Sequence, residues 1–260
     1  KLASSFDSVG FTVDVVKQPK IPDNDLFIFN TKTDRLMSTV KTLGTSLFGL
    51  TVDPAGNIFV ANTDARNHVN GKAGTAKHGL KELENRPYLN RVTKISSEGV
   101  ARFFSLNPLP PLQPDRSEAV ATPFAIKSRR DGEVLFLTGA GSDVLIALCS
   151  ETGKVLSKTK VGSVPRGIAL EEDTNGSPVA VWVMNAVSNS VSKVTIGPDS
   201  ALQVEQTIEL HDPTPPVYKE GRMAFNTARA SSNGTFSCAS CHADGHTDHL
   251  LWVLETPHLV

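Results

Sequence analysis

The sequence predicts a mainly β chain, a β-propeller of four-stranded blades on a repeat of about 42 residues, followed by a small α-helical segment. Three observations predict it. A strand-sized pattern recurs at a fixed offset, the recurring strands are rich in β-branched residues and punctuated by Gly with Asp or Asn, and the recurrence stops at a Pro-rich stretch, 211–216.

The repeat is read from three copies. Ala121-Thr122-Pro123-Phe124-Ala125-Ile126 followed by 131–137 recurs as Ser163-Val164-Pro165-Arg166-Gly167-Ile168-Ala169 followed by 176–183, with Pro123 and Pro165 separated by 42 positions. An upstream copy runs over 47–62. Each copy is an apolar strand, a turn carrying Gly and Asp or Asn, a second apolar strand and a polar turn. The runs that follow, 91–95 and 190–194, alternate with period two, as does 25–29, and a fourth strand follows the turn Glu151-Thr152-Gly153-Lys154. Four short strands per repeat of 40 to 45 residues is the pattern of a propeller blade, and the β-branched, Gly-punctuated texture excludes helical solenoids of similar period.

With Val164 to Ala169, Ala180 to Val194, Asn185, Asn189 and Ser190 in this register, the chain resembles the YVTN/NHL-like propellers over roughly residues 11–210. That length holds fewer than five blades, whereas closed propellers use four to eight. The expectation is therefore an incomplete propeller, 1–210, in a chain that opens in mid-pattern at Lys1-Leu2-Ala3. Two insertions interrupt the repeat. The first, 64–90, carries His68, Lys72, Lys77, His78, Lys81 and Arg86 and reads as a solvated loop, with docking against the C-terminal segment or a partner as the alternative. The second, 106–123, holds Pro108, Pro110, Pro111 and Pro114 and reads as an extended connection between blades.

Composition narrows the partners. Of 260 residues, 26 are Lys or Arg and 27 Asp or Glu, a net charge of −1, so there is no basic field for nucleic acid or an anionic membrane. No apolar run approaches the ~18 residues of a membrane span. Three cysteines are too few and too oddly placed for a disulfide scaffold. Cys149, inside an apolar run, reads as a small buried hydrophobe.

The remaining two cysteines carry the chemistry. After a Pro-rich linker (211–220), the last segment, 221–260, has helix-compatible residues over 221–229, a break at Ser231-Ser232-Asn233-Gly234, and then Cys238-Ala239-Ser240-Cys241-His242. Two thiols three apart can add across the two vinyl groups of haem, and the adjacent His can ligate the iron, so the pentapeptide reads as a c-type haem attachment site. Chance alone gives such a pentapeptide about once in a thousand chains of this composition. The competing readings are a thioredoxin-like redox pair, which wants a βαβ context, and a zinc site from Cys238, Cys241, His246 and His249.

The lead-in Gly221-Arg222-x-x-Phe225-Asn226-x-x-Arg229-x-Ser231-x-x-Gly234-x-Phe236-Ser237 and the continuation Asp244-Gly245-x-Thr247-Asp248-x-x-x-Trp252 resemble the di-haem cytochrome c peroxidase/MauG family over about 221–256. Asn226 stands where that family commonly has an acidic residue and His249 where a small one is expected. No second Cys-x-x-Cys-His is present, and only 18 residues follow His242, so the segment reads as a truncated cytochrome domain.

The implied cofactor is at least one covalent haem c, held by Cys238 and Cys241 with His242 as proximal iron ligand. Phe236 and Trp252 are expected as apolar walls. His246, His249 and His258 are weak candidates for the distal iron position, and Met223 is read as packing. The expected function is electron transfer, with a peroxidase-like oxidoreductase and a propeller scaffold with ancillary haem as alternatives. The resemblance also implies a periplasmic or extracellular location and a redox partner protein, such as another cytochrome subunit.

Overall fold

The computed structural model describes residues 23–70 and 79–254, together with the backbone of two three-residue strands, β1 (Leu2–Ser4) and β2 (Val13–Val15), which pair antiparallel. A hairpin of β3 (Asn24–Phe29) and β4 (Leu36–Lys41) follows. Three four-stranded antiparallel meanders come next. They are β5 (Ser46–Val52), β6 (Ile58–Ala65), β7 (Tyr88–Ile95) and β8 (Ala101–Ser105); β9 (Pro123–Ser128), β10 (Val134–Gly139), β11 (Val144–Cys149) and β12 (Val155–Lys160); and β13 (Pro165–Glu172), β14 (Pro178–Asn185), β15 (Ser190–Ile196) and β16 (Leu202–Glu209).

The first strand of each meander lies beside the first strand of the next, β5 against β9 and β9 against β13. Sheets that pack face to face with their first strands adjacent are blades set around an axis, so the chain has the β-propeller fold. Pro123 and Pro165 open β9 and β13, which puts the 42-residue repeat in register with the blades. Among the described residues three blades are complete, and the β3–β4 hairpin packs Leu26 and Val40 against Leu43, Val60 and Ile95 on the side of the first blade.

Interblade cores hold the arc together. Phe59, Ala61, Val92 and Phe104 of the first blade meet Ile126, Leu135, Leu137, Ile146 and Leu148 of the second. On its other face the second blade sets Val134, Phe136, Leu145 and Ala147 against Val181, Val183 and Val194 of the third. Both faces of β10 and β11 are therefore buried, which explains why those two strands read as continuous apolar runs while β7 alternates.

Two expectations are corrected. Cys149 ends β11 half-exposed at the Glu151–Gly153 turn, outside both cores. Hydrogen bonds from Thr152 hold its thiol below the usual cysteine range. The helix expected over 221–229 runs instead from Pro216 to Asn226, because Pro215 and Pro216 start it rather than precede it: a proline in the first turn lacks only an N–H that has no helical partner. No described helix is long and apolar enough to cross a membrane.

Candidate functional site

Each blade has one end where its second strand turns into its third and its fourth leads to the next blade. Both long insertions emerge at that end, and there the C-terminal segment docks. It is fixed by a series of hydrogen bonds between the segment and the loops. Ala228 donates its N–H to Gly141 O at 2.8 Å, the Lys219 ammonium donates to Ser188 O at 2.9 Å, and Asn90 donates to Thr235 O at 2.9 Å. Asn233 reaches back to Asn85 O at 2.9 Å and to Gln113 at 3.1 Å. Asn70 closes a two-way amide pair with the backbone of Val253, at 2.9 and 2.6 Å. Gly234, at φ +70°, lies so close to Arg116 and Ala119 that a Cβ would come within 3.1 Å of Arg116 O.

The segment itself is two helices and a turn. The helix α1 (Pro216–Asn226) is capped by Thr227 and lies on the surface with Val217 and Tyr218 about two-thirds exposed. After the buried residues Asn233 and Thr235 comes α2 (Cys238–Cys241), a single turn whose first N–H groups need partners, and the Ser240 hydroxyl accepts from Ser237 N–H at 3.0 Å. Cys238 is exposed and Cys241 half-buried, both as free thiols. Burial pushes the Cys241 thiol above its ordinary range, and Asp248 acts in the same direction.

His242 follows immediately, exposed, with its ring 6.5 Å from that of Phe225 on α1. Its Nδ1 lies 2.9 Å from His246 O, an atom that can only accept, so the contact is a hydrogen bond in the tautomer that carries its proton on Nδ1. The turn that returns His246 to His242 contains two consecutive left-handed residues, Asp244 (φ 51°) and Gly245 (φ 81°). Asp is one of the few residue types that enters the left-handed region readily, and Asp-Gly is a favoured pair for a turn of this kind. Asp244 also forms an ion pair with Arg166 of β13.

Behind Cys241 lies a polar knot. The fully buried Tyr88 donates its hydroxyl to Asp248, Trp252 Nε1 donates to the same carboxylate oxygen at 2.8 Å, and the two rings meet at 5.3 Å between centroids. Asp248 N–H in turn donates to Cys241 O at 2.8 Å. Burial, with Asp248 as acceptor, drives the Tyr88 hydroxyl far above the usual phenol range, so it remains a donor. Tyr88→Phe removes a hydrogen bond to a charged acceptor and is expected to loosen this segment by about 1.5–3 kcal/mol. The check is amide exchange: rates over 235–254 rise while those in β9–β16 stay unchanged.

The structure thus brings Cys238, Cys241 and His242 onto one turn and its cap. Phe236 is half-buried just before it. Trp252 turns its N–H inward to Asp248 rather than standing free. His246 and His249 are exposed, His249 at φ 56°, and His258 lies outside the described residues. Met223, read as packing, is more than a third exposed on α1.

The solvated-loop reading of 64–90 is overturned for its described part. Leu83, Arg86 and Tyr88 have no exposed surface, and Arg86 donates to Pro108 O and to Leu112 O. Lys72, Lys77 and His78 lie outside the described residues. Tyr88, Asn90, Asn233 and Arg166 are the positioning residues the sequence did not flag. The run Arg86-Pro87-Tyr88-Leu89-Asn90, least loop-like part of the insertion, was the available signal.

A covalently held haem asks the protein for two thiols and one imidazole with a free nitrogen, and these three residues fit that request. A zinc ion asks for four donors around one point. Among the described residues no three His, Cys, Asp or Glu side chains gather in that way.

The blades define the class of protein: a β-propeller that carries a docked C-terminal segment on one face. No family model matches the chain, and no curated protein matches it in sequence. In shape it is similar to Kuenenia stuttgartiensis hydrazine synthase, with a TM-score of 0.50 and 14% identity over 65% of this chain and 51% of that one. It is also similar to a functionally unknown protein from Desulfotomaculum acetoxidans (0.46, 16%, covering 73% and 51%) and to the Myceliophteria thermophila Cps50 (Swd1) β-propeller domain (0.38, 12%, covering 72% and 65%). The chain spans about half the length of the first two. At these identities the likeness speaks to the fold alone.

Proposed function

We propose that the chain is a c-type haem protein for electron transfer, with the propeller as the platform for the attachment segment. The observation that carries this reading is the state of His242: it directly follows Cys238-Ala239-Ser240-Cys241, and its Nδ1 is engaged by His246 O, so Nε2 is the nitrogen available to iron. Cys238 and Cys241 would hold the porphyrin through thioether bonds. The group, when bound, supplies one-electron exchange at iron.

The chain's own residues bind and orient. His242 would offer its Nε2 to the iron, Phe225 lies beside its ring, and the Tyr88–Asp248–Trp252 knot holds the peptide carbonyl of Cys241 to the propeller. Covalent attachment of this kind takes place after export, so a periplasmic or extracellular location and a redox partner protein, such as another cytochrome subunit, belong to the same proposal.

The test is the pyridine haemochrome spectrum of the full chain expressed in a host with c-type maturation, together with haem staining after denaturing electrophoresis. One thioether-linked haem per chain, low-spin and inert to peroxide, is the expected result. A chain that matures without covalent haem overturns the proposal. High-spin haem that turns over peroxide replaces electron transfer with the peroxidase-like reading.

A further inference from the structure

The three inner strands carry equivalent positions at Phe48-Gly49, Phe124-Ala125 and Arg166-Gly167. Phe48 and Phe124 stack, with centroids 5.0 Å apart, and the Arg166 guanidinium lies 4.7 Å from the Phe124 centroid. The third blade thus places a cation where the other two place an aromatic ring. That cation leaves the propeller and pairs with Asp244, midway between His242 and His246.

We propose that Arg166, acting through Asp244, is a positioning residue that fixes the tautomer and orientation of His242. This rests on the haem reading above. The turn from 242 to 246 is closed by Gly245 N–H on His242 O at 3.1 Å, by His246 N–H on Ala243 O at 3.0 Å, and by the imidazole on His246 O at 2.9 Å. Its middle residue, Asp244, and Gly245 are the two left-handed residues of an Asp-Gly turn closed by His246 N–H, so the backbone of the turn is set locally. Arg166 supplies the outside contact that ties this turn to the blade. It is itself held by packing on Phe124, so its direction is set by the blade rather than by the loop. The His246 carbonyl is thereby kept facing Nδ1, and a ligating imidazole with its second nitrogen hydrogen-bonded is fixed in both ring plane and basicity.

The experiment reads the tautomer directly. In the full chain labelled with 15N-histidine and produced without attached haem, long-range 1H–15N spectra are expected to show His242 as the Nδ1–H form. Arg166→Gln and Asp244→Asn should each raise the ratio of Nε2–H to Nδ1–H by roughly threefold to tenfold, the worth of one hydrogen bond to the ring. Arg166→Lys should recover part of the wild-type ratio. Asn233→Ala, which loosens the segment elsewhere, should leave the ratio unchanged.

In the matured protein, Arg166→Gln should keep the wild-type haem count but shift the midpoint potential. A wild-type His242 in the Nε2–H form, or a ratio indifferent to both Arg166→Gln and Asp244→Asn, overturns the positioning role. An equal response to Asn233→Ala overturns it too, because any loosening would then suffice. If the wild-type chain carries no haem, the haem reading fails while the tautomer measurement still decides the role of Arg166.

Discussion

Replacing Cys238 and Cys241 together by alanine is expected to remove all covalently bound haem while the propeller stays folded. The reason lies in where the two side chains point. Cys238 is exposed and Cys241 only half-buried, and neither belongs to an interblade core, so their sulfurs contribute little packing that alanine would not replace. Haem stain after denaturing electrophoresis should fall to background, with the β-sheet circular dichroism and the melting temperature close to those of the unmaturated wild-type chain. Each single substitution should leave one thioether and a red-shifted haemochrome band. Stain that persists in the double variant would show that some other residue holds the group. His242→Ala is expected to separate attachment from ligation: on the proposed reading, haem stain after denaturing electrophoresis should persist while the visible spectrum of the native protein changes.

Phe136→Ala is expected to have the largest effect on stability, about 3–5 kcal/mol, because it removes a fully buried ring from between two blades. Phe136 meets the face formed by Val181, Val183 and Val194, and the strands on either side are tied by backbone ladders that limit how far the gap can collapse. The measurement is the denaturant midpoint followed by circular dichroism, with the m-value as a check on cooperativity. Val179→Ala, exposed on β14 of the neighbouring blade, should move the midpoint by less than about 0.5 kcal/mol and serves as the reference.

The blades were legible in the sequence because their signals are local. The Asp-containing turns after β5, β9 and β13 use the Asp side chains to bind their own backbone, as Asp53 does to Asn57 N–H at 2.8 Å and Asp173 to Ser177 N–H at 2.9 Å. The Cys238–His242 pattern, read as a haem attachment site, is local in the same way, since it is contained in five residues. What was not legible depends on pairs far apart in the chain. Asn90 with Thr235, Tyr88 with Asp248 and Asn70 with Val253 are separated by 145, 160 and 183 positions.

Composition pointed the wrong way for the insertion. Arg86 looks like a surface residue, and it is fully buried only because the carbonyls of Pro108 and Leu112 accept from it. Among the described residues its Nε and Nη2 have no hydrogen-bond partner, and burial, with Arg66 nearby, lowers the pKa of the guanidinium. The partner of His242 Nδ1 was hidden for a different reason: it is a backbone carbonyl, which no residue type announces.

The Asn70, Tyr88 and Asn90 contacts tie the last described residues of the chain to the first complete blade, in addition to the Arg166–Asp244 pair that ties them to the third, their nearest neighbour in sequence. The dependence between the two parts runs one way. The blades bury their cores against one another without help from the tail, whereas the tail has its buried hydrogen-bond partners on the blades. The tail is thus the dependent part: Thr235, Asp248 and Val253 find their hydrogen-bond partners on the first blade and its insertion, while the two interblade cores contain no residue of the tail.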